Sequence, residues 1–314
     1  MEHMRKLLCA LLLAFFAIGT AFGAALGTNA RAVIPAQVQQ IISVDYRALR
    51  NSESGMALKA RIMPDNMKQF EEALKGMDID PDKDVGQLTF VAYRDGHGAV
   101  QTAGIAQGEF SLRDFTAKMK AKKIRPTKYR FSDLYSTGAG MVISFLDEST
   151  MLFGPAPAVK GALDARDGET PTVDSNSEIR DLIQDADSGA IWSVLDQAGT
   201  QNMMHSALGE AGALADFETV KKRLLGSRYS LDLTHGVEFR LIVVTSDTMT
   251  AATMSSLLKA GMLFKRVSAS TVEKSAMDSI DVDSDSGKLV VRFESDDRKF
   301  QSLLSSDLFA QAIK

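Results

Sequence analysis

The pattern of apolar and polar positions switches repeatedly between a period of two and a period near 3.6 along this chain, which indicates strands mixed with helices. Residues 40–45 form a β-branched run that predicts a strand. Helical patterns follow it with a break at Pro64, because proline interrupts a helix. The first half predicts strands at 40–45, 88–93, 99–106, 128–131, 141–146 and 151–153, and helices at 56–62, 65–75, 111–119 and 155–165.

The same order of elements occurs a second time. Residues 190–194 resemble the strand at 41–44 with an offset of 150. In the last predicted hairpin, Leu289 corresponds to Leu152 of the first half, with an offset of 137. Such self-similarity is typical of an internal duplication. The second half predicts strands at 190–194, 229–233, 238–244, 279–282 and 289–293, and helices at 197–208, at 214–225 and after Asp247.

Each half therefore has the order β-α-β-β-α-β-β-α. This order predicts an α+β fold of two tandem repeats, with mostly antiparallel sheets covered by helices. The first repeat is expected at 33–166 and the second at 177–314, joined by a polar linker at 167–176. The pattern leaves open whether the two repeats share one sheet.

The first 32 residues have the pattern of a secretory signal peptide. Two basic residues, Arg5 and Lys6, precede an apolar run at 7–18, and small residues follow. The sequence Ala30-Arg31-Ala32 fits the cleavage pattern, so a cut after Ala32 is expected, with a cut near Gly23 as the alternative. A second alternative is an uncleaved membrane anchor, because no charged residue occurs between Leu7 and Leu26. The leader places the protein outside the cytoplasm, in the periplasm or secreted.

Composition narrows the partners further. The one cysteine, Cys9, lies in the expected leader, so the remaining chain has no thiol for disulfides or catalysis. Removing the leader takes away three basic residues and one acidic residue, which changes the net charge from −4 to −6. Nucleic acid is a poor partner for such a chain, since binding depends on clustered cations. A membrane partner is expected only if the leader stays uncleaved.

Two acidic runs have the spacing of calcium ligands. Carboxylates alternate from Asp78 to Asp84, as at the start of an EF-hand loop, but Lys83 occupies the position that requires glycine. A second alternating run, from Asp281 to Asp285, ends in the ordinary hairpin residues Ser286 and Gly287. We interpret both as turn and strand residues and predict no metal ligand.

Catalytic motifs are equally sparse. Three histidines follow the leader, and His97 and His235 lie beside glycines in predicted turns, near Asp95 and Asp232. A serine triad also needs a nucleophile elbow, which this sequence lacks. Methionines 203 and 204 with His205 offer soft ligands, but neighbouring helical residues diverge, so core packing is the better interpretation. We predict no catalytic residue, no cofactor and no enzymatic activity. Trp192 is predicted to be a core residue.

The layout resembles a loose group of bacterial extracytoplasmic α+β proteins of unknown function. The resemblance rests on Ile34-Pro35 before the first strand and on the acidic turn from Gly76 to Val85. It implies an envelope or secreted protein and carries no catalytic residue. We therefore expect a non-enzymatic binding or scaffold protein of the bacterial envelope, with an unknown protein or small molecule bound in a cleft between the halves. The alternatives are a hydrolase that uses His97, His205 or His235, and a membrane-tethered assembly factor anchored between Leu7 and Leu26.

Overall fold

The computed structural model describes residues 25–62, 65–137, 140–186, 189–208 and 217–306. The expected apolar leader core at 7–18 lies outside these residues. The elements of the first half are α1 (Thr28–Ala32), β1 (Val38–Asp45), α2 (Tyr46–Arg50), α3 (Glu53–Ile62), α4 (Asp65–Gly76), α5 (Pro81–Asp84), β2 (Val85–Arg94), β3 (Val100–Gly108), α6 (Leu112–Ala121), β4 (Thr127–Tyr129), β5 (Ser132–Ser136), β6 (Val142–Phe145), β7 (Thr150–Gly154) and α7 (Ala156–Arg166).

The second half begins after a short 3₁₀ turn at Val173–Ser175. Its longest helix, α11, has 21 residues. Among the described helices, however, length and apolar character never combine in a segment that would cross a lipid bilayer. The elements are α8 (Ser177–Ala186), β8 (Ile191–Leu195), α9 (Gln197–Leu208), α10 (Phe217–Lys221), β9 (Leu224–Asp232), β10 (Val237–Thr245), α11 (Thr248–Ser268), α12 (Thr271–Asp278), β11 (Ile280–Asp285), β12 (Lys288–Ser295) and α13 (Asp297–Leu304).

The twelve strands of the described residues belong to one sheet, which answers the question that the sequence left open. Their order is β11-β12-β10-β9-β8-β1-β2-β3-β7-β6-β5-β4. Every strand pair is antiparallel, so the mixed helix and antiparallel-sheet class is confirmed. The halves meet where β1 pairs with β8, with Ile41 opposite Val194 and Val44 opposite Ile191. We call this junction the seam.

Helices cover both faces of the sheet, and side chains from both halves meet in the core of one face. Ile41 and Ile105 belong to the same buried cluster as Ile183, Trp192 and Val194. Trp192 is 1% exposed, so its predicted place in the core is confirmed. Because successive strand residues point to opposite faces, Ile42 and Val44 pack on the other face, against the α2–α3 and β9–β10 region. The strands at the seam are therefore buried on both faces, as central strands of a covered sheet are, and their faces contain Ser43 and Ser193 beside the apolar residues.

Residues 25–32, which the sequence assigned to the leader, pack against the folded core. Leu26 and Ala30 are buried, at 7% and 0% exposure, in the cluster that contains Trp192. Helix α1 is also held by an ion pair from Arg31 to Asp174. A cut after Ala32 would remove a packed helix from the core.

The stretch at 167–176 is ordered against the start of the first half. The Ala36 amide donates to the Pro171 carbonyl at 2.8 Å, and Pro35 forms a β-bridge with Thr172. Val173 is fully buried in the same core as α1. This connection is therefore held against the start of the first half, although 168–171 and 174–175 are exposed.

A glycine in β3 shows how tightly the other face is packed. A Cβ at Gly104 would lie 2.1 Å from the Phe153 ring, which is buried and in edge contact with Phe90 at 5.8 Å. We expect Gly104→Ala to destabilise the protein by about 1–3 kcal/mol, the usual cost of overpacking. Thermal unfolding measures the change. Gly96→Ala, where a Cβ meets nothing within 4 Å, is the matched control, and equal loss in both variants would contradict the packing.

Candidate functional site

A hollow of about 400 Å³ lies at the seam, between the sheet and the first turns of α9. Its volume is within the range of small-molecule sites in proteins. Both halves contribute: β1, β2 and β3 from the first, and β8, α9 and β9 from the second. We call it the seam pocket. The residues that line it and bear on its chemistry are Gln39, Gln40, Asn202, Met203, Ser206 and Tyr229.

A β-bulge places Gln39 in the seam pocket. Val38 lies opposite Tyr93 and Gln40 opposite Ala92, so Gln39 is an extra residue in β1. Bulges re-aim side chains and are common beside functional sites. Gln39 and Gln40 consequently line the same pocket, although consecutive strand residues normally point to opposite faces.

The Gln39 side chain has an unsatisfied hydrogen-bond acceptor. Its Oε1 atom is buried, and no hydrogen-bond partner for it occurs among the described residues. A buried polar atom without a partner costs about 1–3 kcal/mol, so such atoms in a folded protein call for an explanation. A hydrogen-bond donor bound in the seam pocket would satisfy this oxygen once the side-chain amide of Gln39 rotates toward it.

The floor of the seam pocket is a short polar network. Gln40 Nε2 donates to Ser193 Oγ over a long 3.4 Å hydrogen bond. Tyr229 lies opposite Ser193 on the neighbouring strand, and burial raises the pKa of its phenol, while the hydrogen bond with Ser193 acts in the other direction. The phenol therefore stays protonated near neutral pH and keeps a hydrogen-bond donor at the pocket wall.

An interaction across the seam holds α9 at the pocket. Asp196 Oδ1 accepts from the Gly199 amide at 2.7 Å, which caps the helix, and Asp196 Oδ2 accepts from Arg94 Nη1 at 3.1 Å. Gly199 allows the close approach, since a Cβ there would lie 2.9 Å from the Gln39 carbonyl oxygen. Helix α9, from the second half, is thus positioned by β1 and β2 of the first half.

The described residues that line the seam pocket carry no charge. Amide, hydroxyl and phenol groups can donate and accept hydrogen bonds, and Met203 and Leu195 add apolar surface. This set suits an uncharged molecule with both polar and apolar parts, and it supplies neither a nucleophile–base pair nor a cluster of metal ligands. Sequence analysis missed these residues, since the polar pair Gln39-Gln40 before an apolar strand was their one local signal.

The three histidines that the hydrolase alternative requires lie on different elements: His97 in the β2–β3 turn, His205 on α9 and His235 in the β9–β10 turn. The Asp95 carboxylate accepts from the backbone amides of His97 and Ala99, at 2.9 and 3.0 Å, and from Gln101 Nε2. These bonds, led by the one from Gln101, lower the pKa of Asp95. Asp232 likewise accepts from the Thr234 amide at 2.7 Å in the turn that contains His235. Both carboxylates stabilise turns. His205 lies on α9 with its ring 5.8 Å from that of Phe217.

Both acidic runs are used by local structure. Asp80 caps α5 through the Asp82 amide at 3.1 Å, and Asp84 Oδ2 accepts from the Asp80 amide at 2.7 Å. Asp281, on the edge strand β11, accepts from Arg292 Nη1 at 2.9 Å. No three histidine, cysteine or carboxylate side chains of the described residues come together as a metal site. Met204 is 1% exposed and belongs to an apolar cluster, as core packing predicts.

A second hollow, of about 470 Å³, lies within the first half beside the start of α6. Phe110, Phe115 and Phe145 form its apolar wall, and acidic side chains form its rim. Two of these carboxylates have partners on or beside α6: Asp114 accepts from Ser111 Oγ at 2.7 Å, and Asp78 pairs with Lys118. Nothing in this hollow is left unsatisfied in the way that Gln39 is.

Comparison with known proteins gives structural similarity alone. No family model and no curated protein matches the chain. The crystal form I structure of TP0453 is similar with a TM-score of 0.46 and 8% identity, over 90% of this chain and 98% of that one. The crystal form IV structure of TP0453 is similar with a TM-score of 0.44 and 10% identity, over 88% of this chain and 96% of that one. These two structures are distant neighbours of the chain, and its function has to be argued from its own residues.

Proposed function

We propose that this protein is a non-enzymatic binding protein that holds a small uncharged polar molecule in the seam pocket. The observation that carries the proposal is the buried Gln39 Oε1, which lacks a partner in a pocket lined by uncharged groups from both halves. Gln40, Asn202 and Tyr229 supply donors and acceptors, and Met203 supplies apolar contact. Binding would then satisfy an acceptor that folding leaves unpaired.

We propose further that the two halves arose by duplication. The strand order supports this, because it runs outward from the seam as β1-β2-β3-β7-β6 on one side and as β8-β9-β10-β12-β11 on the other. Strands β3 and β10 both have nine residues. The same irregularity also occurs in both hairpins: the register shifts next to Val85 in β2 and next to Leu224 in β9.

The register favours an offset of 151 at the seam, one more than the sequence match suggested. Directly opposite residues of an antiparallel pair point to the same face. Ile42 lies opposite Ser193, so an offset of 150 would match Ile42 to Trp192 on the wrong face. An offset of 151 matches Val44 to Leu195. Val44 lies opposite Leu88 in β2, and Leu195 lies opposite Ser227 in β9. Leu88 and Ser227 are 139 residues apart, as are the starts of β2 and β9.

We place the protein outside the cytoplasm, with leader cleavage after Gly23. The basic start, the apolar run at 7–18 and the small residues Ala21 and Gly23 support this proposal. The burial of Leu26 and Ala30 favours it over a cut after Ala32, since that cut removes part of the core. N-terminal sequencing of protein from its own host decides the matter. Ala24 as first residue is expected, and an intact Met1 would support the anchored assembly factor instead.

Ligand-dependent thermal shift tests the seam pocket. We expect one class within a panel of uncharged sugars, nucleosides and cyclic dipeptides to raise Tm, because a ligand at about one hundred times its Kd stabilises by ~2.7 kcal/mol. Asn202→Leu removes a pocket amide at the surface of α9 and is expected to abolish the shift. Gln301→Leu, on α13, is the matched amide control and should keep it. A panel without any shift, or an equal shift in Asn202→Leu, would contradict the site.

A further inference from the structure

Helix α11 is much longer than its counterpart in the first half. Helix α6 and α11 each follow the third strand of their half, but α6 has 10 residues and α11 has 21. The additional eleven residues extend α11 by about 16 Å at the usual rise of an α-helix. Ten residues suffice to cover the sheet in the first half. In the extension of α11, Leu258 and Met262 still pack against the core, whereas residues 263–268 are exposed and do not cover the strands.

The extension exposes large apolar side chains on one side. Leu263, Phe264 and Val267 are 68%, 69% and 84% exposed. Their spacing of three and four residues places them on one face of the helix, and this face differs from the one that buries Met254 in the core. Val272, at the start of α12, is 41% exposed. Contiguous exposed apolar side chains mark interaction sites on soluble domains.

The charges on α11 all have the same sign. Its sequence contains Lys259, Lys265 and Arg266 and no aspartate or glutamate, although the chain as a whole has a net charge of −4. Arg266 Nη2 donates to Asp278 at 3.2 Å. Lys259 and Lys265 are exposed and form no ion pair with any described residue. Two free cations thus flank the apolar face, in an otherwise acidic protein.

We propose that the last part of α11, residues 259–268, docks the folded protein on an anionic lipid bilayer surface. Leu263, Phe264 and Val267 enter the boundary between headgroups and acyl chains, as the apolar face of an interfacial helix does. Lys259 and Lys265 contact the anionic headgroups. This contact is peripheral and belongs to the folded domain, so it is independent of an anchor between Leu7 and Leu26.

The charges beside the apolar face of α11 favour an anionic lipid surface over a second copy of this chain as the binding partner. A twofold dimer places the same surface of two subunits together. On this surface it would bring Lys259 and Lys265 of both copies into one apolar contact, where like charges repel. An anionic bilayer neutralises the same cations and accepts apolar side chains from a protruding helix end.

Vesicle co-sedimentation of the chain that begins at Ala24 tests the proposal, because this chain lacks the apolar run that would insert by itself. We expect binding to phosphatidylcholine vesicles with about one third phosphatidylglycerol to be at least roughly tenfold tighter than to pure phosphatidylcholine, and to weaken in high salt. Phe264→Ser with Val267→Ser is expected to lower binding at least roughly tenfold. Lys259→Glu with Lys265→Glu should remove the preference for anionic lipid.

Matched controls distinguish binding through this surface from non-specific binding to vesicles. Phe131 is 93% exposed on the β4–β5 turn, and Phe131→Ser is expected to leave vesicle binding unchanged. Lys120→Glu with Lys222→Glu, at two exposed positions away from α11, controls for the same change of net charge. All of these side chains are exposed, so Tm should stay constant across the variants. Equal binding by the Phe264/Val267 variant, no vesicle binding by the native chain, or a concentration-dependent dimer that blocks binding would each overturn the proposal.

Discussion

A chain that begins at Val33 is expected to unfold at a clearly lower temperature than a chain that begins at Ala24. The shorter chain loses Leu26 and Ala30 from the core and the ion pair from Arg31 to Asp174. Burying a leucine side chain contributes about 1.5–3 kcal/mol, and the cavity that remains adds to the loss. We expect about 3 kcal/mol in total, which corresponds to a Tm shift on the order of 5 °C in calorimetry for a chain of this length.

Point variants of the longer chain separate packing from chain length. Ala30→Asp places a charge at a fully buried position and should lower Tm at least as much as the truncation, since a buried unpaired charge is costly. Thr28→Ala, at an exposed position on the same helix, should change stability by less than about 0.5 kcal/mol. Equal Tm values for the chains that begin at Ala24 and at Val33 would show that α1 contributes nothing.

The two halves, expressed as separate chains covering 24–175 and 176–314, are expected not to fold. Separation leaves β1 and β8 as unpaired edges and exposes both sides of a shared core. Ile41 and Ile105 would lose their packing against Trp192 and Val194. The loss of several such apolar contacts together exceeds the free energy of unfolding of a typical domain, about 5–15 kcal/mol. Circular dichroism and size exclusion measure the result, and the intact chain should unfold in one cooperative transition.

A nicked chain is the control for breaking the backbone. A protease site inserted between Glu169 and Thr170, in the exposed tip of the connection, keeps both halves present after cleavage. We expect the nicked protein to stay folded, because β1 and β8 remain paired. Two separate halves that each show a sharp transition of their own would contradict the shared core and would support two independent repeats.

Most strands were predictable, since they follow from local periodicity, but the helix expected at 214–225 ends at Lys221, and β9 already begins at Leu224. Strand β1 was expected at 40–45 and spans Val38–Asp45, and β8 was expected at 190–194 and spans Ile191–Leu195. Side-chain period and β-branching mark such runs without any tertiary information. The pairing of the strands in the sheet was not predictable in this way. Ile41, Ile42 and Val44 indicate a strand buried on both faces, but nothing in a strand's own residues says which strand lies beside it.

The seam pocket and the leader boundary were not predictable, for related reasons. Gln39 lines the pocket because of a bulge, which depends on the register with β2. Ala30 was interpreted as part of a cleavage pattern because small residues fit signal peptidase and also fit a helix packed in a core. Local sequence is compatible with both interpretations, and the burial of Ala30 among distant residues favours the packed helix.

The sequence by itself determined the class of this protein: alternating short-range periods, a cysteine-free chain after the apolar start, and the absence of assembled catalytic motifs. These properties depend on residues close together in the chain. Only the tertiary structure decided that the halves form one sheet, that Leu26 and Ala30 are buried in the core, and that uncharged groups converge at the seam. These properties arise from contacts between residues more than one hundred positions apart, such as Ile41 and Val194, and no local pattern encodes such a pairing.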